Sequence, residues 1–311
     1  MDRARAGIDL TRALAGAGLV TLFFSEFFFF NEDPAFAVLE SADPLAAYGH
    51  IGALWLFYIA FALVLSAALS ACVVRRWEGL VLAACLFGWA VEGTAIPYVY
   101  ESVPVTFFWT SVGWHMPVDV LLGVIALPWL LRQGWAASLI GSAGLGLAWG
   151  AWSTWVWADD LRLSPDVFTK YALITGGALV VGTALLAPAL PSLWAMPRWL
   201  ALASGAIALI FGFITGIVHP FGLALLASLV GLTLYALRRL GQSGGPGRLP
   251  PPAAPAWRAL ALLPTPVLAA AVYGALWEAD LQIVTEDAII LLLIIATCIF
   301  LFAIARAFTR S

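Results

Sequence analysis

Charge is what this chain has least of. Asp, Glu, Lys and Arg make up 11% of its 311 residues, against 63% apolar residues and a mean hydropathy of +0.97. A soluble domain carries about 25% charged and about 45–50% apolar residues. The composition therefore excludes an ordinary water-facing surface and implies a membrane protein. Cysteine is also scarce: Cys72, Cys85 and Cys298 all lie in apolar stretches, with neither CxxC nor zinc-type spacing. They read as small buried residues. There is no continuous basic patch, which excludes nucleic acid as a partner. The net charge of −3 says little about partners, because the charges are segregated along the chain.

What the chain has instead is long apolar runs. A helix needs about 20 apolar residues to cross a bilayer core, and ten segments qualify: 10–30, 48–74, 78–99, 106–131, 135–158, 169–190, 199–219, 221–238, 257–277 and 286–306. The N-terminus, MDRARAGIDL followed by apolar residues and then Ala35-Phe36-Ala37, imitates a cleavable signal. Its apolar run exceeds the usual h-region of about 7–15 residues, so it reads as a retained first helix. With the N-terminus in the cytoplasm, 13 basic residues fall inside: Arg3, Arg5, Arg12, Arg75, Arg76, Arg132, Arg198, Arg238, Arg239, Arg248, Arg258, Arg306 and Arg310. Only Arg162 and Lys170 fall outside. The positive-inside rule thus predicts an all-α, polytopic transmembrane bundle of about ten helices with both ends cytoplasmic, as in a bacterial inner membrane.

The linker 240–256, with GQSGGPGRLPPPAAP at its centre, is too rich in Gly and Pro to fold. It divides an eight-helix body, 1–239, from a two-helix hairpin, 257–311. Gly146 with Gly150, and Gly212 with Gly216, have the spacing that lets helices approach closely. A 5+5 inverted repeat is numerically possible, but the halves show no sequence echo.

The stretch WAVEGTAIPYVYESVPVTFFWTSVGWHMPVD, 89–119, carries the chemistry. Ionisable groups here sit at membrane depth, where a charge costs roughly 2.5–3.5 kcal/mol even on the lenient insertion scale, and where such groups usually serve function. Glu92, His115 and Asp119 are the candidate catalytic residues. Ser111, His115 and Asp119 recur at i, i+4 and i+8 and so share a helix face. Pro117 and Pro97 leave the carbonyls near Gly113 and Gly93 without their usual donors. Tyr98, Tyr100, Trp109 and Trp114 would wall a cavity, with Ser111 and Glu26 as further substrate contacts. The topology brings Glu26, His50 and His219 to the same outer level. Glu101, Asp159, Asp160, Glu278 and Asp280 read as solvated loop acids, as do Glu32, Asp33, Glu40 and Asp43. The plainer alternative for Glu92, His115 and Asp119 is an interhelical hydrogen bond, and for most tryptophans an interfacial anchor.

Three function classes remain open. An intramembrane enzyme on an isoprenoid or other lipid-soluble substrate could use Glu92 and Asp119 as acid and base, with aromatic walls stabilising a cation. A Glu in one helix, aromatic residues and then W…D in the next resembles membrane terpene cyclases. The enzyme could instead hold a divalent metal, Zn or Fe, on His50, His115, Asp119 and His219. Ser111-x-x-x-His115 is similar to the Ser/His element of the alkaline ceramidase superfamily; the late His-x-x-x-His pair of that family is represented here by His219 alone. A proton-coupled small-molecule transporter would use Glu92 or Asp119 as the coupling carboxylate, although polar residues are few in the cytoplasmic half. A quinone- or haem-binding partner subunit would use the same pocket, with His50 and His115 as candidate haem ligands.

Overall fold

The computed structural model describes residues 3–28, 37, 39, 44–154, 163–243, 247 and 249–309. The acidic loop residues Glu32, Asp33, Glu40 and Asp43, together with Asp159, Asp160, Arg162, Arg248 and Arg310, lie outside them. The described residues are helical, without strands. Nine helices among them are long and apolar enough to cross a membrane: Ala4–Phe27, Tyr48–Ala71, Trp77–Ala95, Thr106–Arg132, Pro165–Trp194, Arg198–Gly216, Pro220–Gln242, Ala256–Glu278 and Glu286–Thr309. They are integral-membrane elements by length and hydropathy. Trp135–Trp152, expected as the fifth span, is a helix of 18 residues outside that set.

The helix from Trp77 to Ala95, called α3 after α1 (Arg3–Leu22) and α2 (Pro44–Ala71), lies at the centre. Every residue from Glu78 to Gly93 is buried. It packs against α2, the Thr106–Arg132 span, Arg198–Gly216 and Glu286–Thr309. A helix that is apolar all round has this fate. Small residues set the closest crossings. Gly16 in α1 and Gly182 in Pro165–Ala189 lie at one crossing, where a Cβ on Gly182 would come 2.7 Å from the Leu19 side chain. A Cβ on Gly146 would come 2.6 Å from the Thr265 carbonyl, so that half of the Gly146/Gly150 pair admits the Ala256–Glu278 span. The two helices of 257–311 dock on different neighbours. The first lies on Trp135–Trp152 and Pro165–Ala189, and the second on α3 and the Thr106–Arg132 span. The linker is held to the body by backbone bonds from Ala254 to Ala187 and from Leu249 to Arg75.

Two irregular segments position the site. The end of the first span unwinds into a π turn, Phe23–Phe27. Its free carbonyls are met by aromatic donors: the Trp114 indole donates to Phe24 at 3.0 Å, and the Trp149 indole and Tyr171 hydroxyl donate to Phe27 at 3.2 and 2.9 Å. Helix ends buried without water need such partners. The second segment is a 16-residue π-helix, Ser111–Ala126, containing Pro117. π-helices usually occur as single turns, often at functional sites. Pro117 supplies a cause: in an α-helix its ring would press on the carbonyl of residue 113, and the wider π turn carries that carbonyl past it to the amide of residue 118. The other proline acts differently. Pro97 ends α3 and opens a 3-10 turn, Pro97–Tyr100, and the Gly93 carbonyl it leaves free accepts the Tyr100 hydroxyl at 2.6 Å.

Candidate functional site

Four helical segments converge where the first span ends. His115 lies in the π-helix with its imidazole between two carboxylates. Its Nδ1 is 2.7 Å from Asp119 Oδ2 and its Nε2 is 2.9 Å from Glu92 Oε1. Carboxylate oxygens on both ring nitrogens suit a ring that carries both N–H groups. The three groups are almost sealed from solvent: Asp119 is 0% exposed, His115 5% and Glu92 6%. Glu92 comes from the last turn of α3, and the ring of Phe87, one turn earlier, meets the His115 ring edge-on at 6.2 Å.

Two further side chains complete the cluster, and neither stood out in the sequence. Ser25, in the first π turn, donates to Asp119 Oδ2 at 2.5 Å and lies 3.4 Å from His115 Nδ1. Tyr58, in α2, donates to Glu26 Oε1 at 2.5 Å. Each is a lone hydroxyl in an apolar run. Such hydroxyls ordinarily bond their own helix, as Thr21 does to Ala17 and Thr175 to Tyr171. Their sequence signal was limited to position: Ser25 adjoins Glu26 in a run of phenylalanines.

The other expected site residues are placed as follows. Glu26 joins the cluster through Tyr58. Ser111 is buried, but its Oγ has no hydrogen-bond partner among the described residues, and Ser25 takes the place beside His115 that the i, i+4 spacing suggested for Ser111. Asp119 Oδ1 likewise has no partner among the described residues. Trp114 packs on Phe28 and Trp152 beside the cluster. Trp109 is half-buried in the short helix Thr106–Trp109, and the side chain of Tyr98 lies outside the described residues. Tyr100 holds backbone: its hydroxyl reaches the carbonyls of Gly93 and Gly212, and its ring stacks on His219. Gly216, the partner of Gly212 in the sequence motif, packs against the same ring.

The four-residue metal set is not assembled. His50 is exposed on α2, and His219 faces Glu101 at 3.9 Å. Among the described residues no three His, Cys, Asp or Glu side chains gather into a group that could hold a metal ion. Equal depth in the membrane placed His50 and His219 beside His115 in sequence reasoning, but depth does not fix which helix faces which.

A serine nucleophile is not what this arrangement provides. In such a triad the hydroxyl donates to the ring, whereas Ser25 donates to Asp119 Oδ2 at 2.5 Å and stands 3.4 Å from Nδ1. What the geometry offers is proton storage and transfer along carboxyl, imidazole and carboxyl. Comparison of the chain with protein-family models, with curated proteins and with solved structures finds no match in any of the three.

Proposed function

We propose that this is a ten-span membrane protein with both ends cytoplasmic, whose Glu92–His115–Asp119 cluster is the acid–base centre of an intramembrane enzyme. Trp135–Trp152 supplies the additional span. Its three tryptophans, four glycines and two serines lower its hydropathy, while its close packing on Ala256–Glu278 suits a membrane interior. The substrate is a lipid-soluble molecule of the isoprenoid or lipid class, taken from the surrounding bilayer.

One observation carries this reading: an imidazole bridges two buried carboxylates, with His115, Asp119 and Ser25 on π-helical backbone and Glu92 on the regular helix α3. Charge arithmetic gives the roles. An imidazolium between two carboxylates has net charge −1; one more proton makes the cluster neutral, as a low-dielectric setting favours. Glu92, 6% exposed, is the less enclosed of the two carboxyls, and Asp119 is wholly enclosed. Glu92 then protonates the substrate, the Nε2 proton of His115 replaces the one lost, and Asp119 holds the ring in place. Run in reverse, the same chain removes a proton. The ring of Phe87 lies 6.2 Å from that of His115, and an aromatic ring there would stabilise a cationic intermediate.

The polar groups also favour one-sided chemistry over a transport path. Thr21, Ser138, Thr175 and Ser204 each bond a carbonyl four residues earlier in their own helix. At the other end of α3, Glu78 is buried with Arg306 3.9 Å away.

The test compares lipids extracted from membranes holding the wild-type chain, Asp119→Asn or Glu92→Gln. The expected result is a lipid-soluble species converted by the wild type and left unconverted by both variants, a loss of at least about 100-fold in rate. Identical lipid profiles, together with proton-driven solute uptake by vesicles containing the wild type, would replace this reading with the transporter.

A further inference from the structure

The acid–base centre must be reloaded with protons, and its three groups are enclosed. Glu26 differs from them in being partly exposed. It lies at the end of the first span, one residue from Ser25, and receives the hydroxyl of Tyr58 from α2. Ser25 is the adjoining residue in the chain and donates to Asp119 at 2.5 Å. Neighbouring helix residues normally point about 100° apart. Here two hydrogen bonds end on one turn of the first span, Tyr58 of α2 to Glu26 and Ser25 to Asp119, and the step between the two hydroxyls is the part that is inferred.

We infer that Glu26 is the proton port of the centre, joined to Asp119 and His115 through the hydroxyls of Tyr58 and Ser25. The inference rests on the acid–base reading of Glu92, His115 and Asp119. The hydrogen-bond directions give the mechanism. In the structure Tyr58 donates to Glu26 and Ser25 donates to Asp119. A proton arriving on Glu26 turns the first bond round, so that Glu26 donates to the Tyr58 oxygen. Tyr58 passes its own hydrogen to the Ser25 oxygen, and Ser25 passes its hydrogen to Asp119. One O–H bond breaks and one forms at each hydroxyl, neither hydroxyl ends ionised, and one proton has moved from Glu26 to Asp119, which returns the cluster from net charge −1 to zero after Glu92 has given its proton to the substrate and taken the one on Nε2.

The titratable groups facing this chain are few. They are Tyr58 from α2, His115 and Asp119 from the π-helix, and Glu92 from α3. Tyr171 approaches from Pro165–Ala189, but its hydroxyl is committed to the Phe27 carbonyl. The inference also explains why the first span carries a Ser-Glu pair inside a run of phenylalanines.

The experiment is time-resolved infrared difference spectroscopy after a pH jump, on the full chain in lipid vesicles. It compares wild type, Glu26→Gln, Tyr58→Phe and Ser25→Ala, with Glu26→Asp as the conservative variant. Proton arrival at the buried carboxyls is expected to slow by at least about 100-fold in Glu26→Gln and Tyr58→Phe. The final difference spectrum should stay as in the wild type, and Glu26→Asp should recover part of the rate. Unchanged rates in folded Glu26→Gln and Tyr58→Phe would overturn the port and leave the pair as a structural pin. A wild-type chain with no carboxyl or imidazole band responding to pH would overturn the acid–base centre itself, a result distinct from loss of the port.

Discussion

His115 is held from three sides: by Glu92 on one nitrogen, and by Asp119 and Ser25 on the other. Removing one partner of a buried charged pair leaves the other uncompensated, at a cost of about 3–5 kcal/mol. Asp119→Ala is therefore expected to lower thermal stability strongly, whereas Asp119→Asn keeps the shape and loses the chemistry. Unfolding temperature and turnover measured side by side separate these effects. Tyr100 is the contrasting residue. It lies in the 3-10 turn between spans, and burial pushes its phenol up to about 12, so it remains a donor under any ordinary condition. Tyr100→Phe leaves the Gly93 carbonyl short of a donor and is expected to cost about 1–3 kcal/mol with the His115 centre still competent. Loss of chemistry without loss of stability in this variant would move Tyr100 into the site.

At the scale of elements, the apolar runs were legible because membrane helices announce themselves by length and hydropathy. The π register was not, since α and π helices draw on the same residues; Pro117 marked the place but not the extent. Close contacts decide it as well. A Cβ on Gly88 would overlap the Ser111 carbonyl, so α3 and the π-helix meet backbone to backbone there. Pro117→Ala removes the ring that an α-helical turn would press on the residue 113 carbonyl and is expected to draw the segment toward α-helical register. A one-residue slip turns a side chain by about 100°, taking His115 away from Glu92. The expected result is lost activity at equal or higher unfolding temperature. Retained activity would show that the π register is incidental to the site. Ser25 and Tyr58 escaped notice because an isolated hydroxyl in an apolar helix usually serves its own backbone. Only the packing of α1 on α2 and of both on the π-helix shows otherwise.

For the whole molecule, the sequence showed the helical membrane class and the level of the Glu92–His115–Asp119 cluster along the chain. It could not show which helices are neighbours. Thus Glu26 joined the cluster, while His219 ended against Tyr100 on the peripheral pair Arg198–Gly216 and Pro220–Gln242. The proposed orientation is tested by single cysteines in a chain cleared of Cys72, Cys85 and Cys298. Gln133→Cys should react with an impermeant thiol reagent only from the cytoplasmic side, and Ser102→Cys only from outside; the reverse pattern would invert the topology. The central claim, that His115 shares protons with two carboxylates, is tested most directly by solid-state nitrogen NMR of the histidine side chains in lipid. His50→Asn and His219→Asn identify the His115 signals. The account predicts two hydrogen-bonded N–H resonances for His115, with the Nε2 signal shifted by Glu92→Gln and the Nδ1 signal by Asp119→Asn. A neutral ring with one bare nitrogen, indifferent to both substitutions, would contradict it.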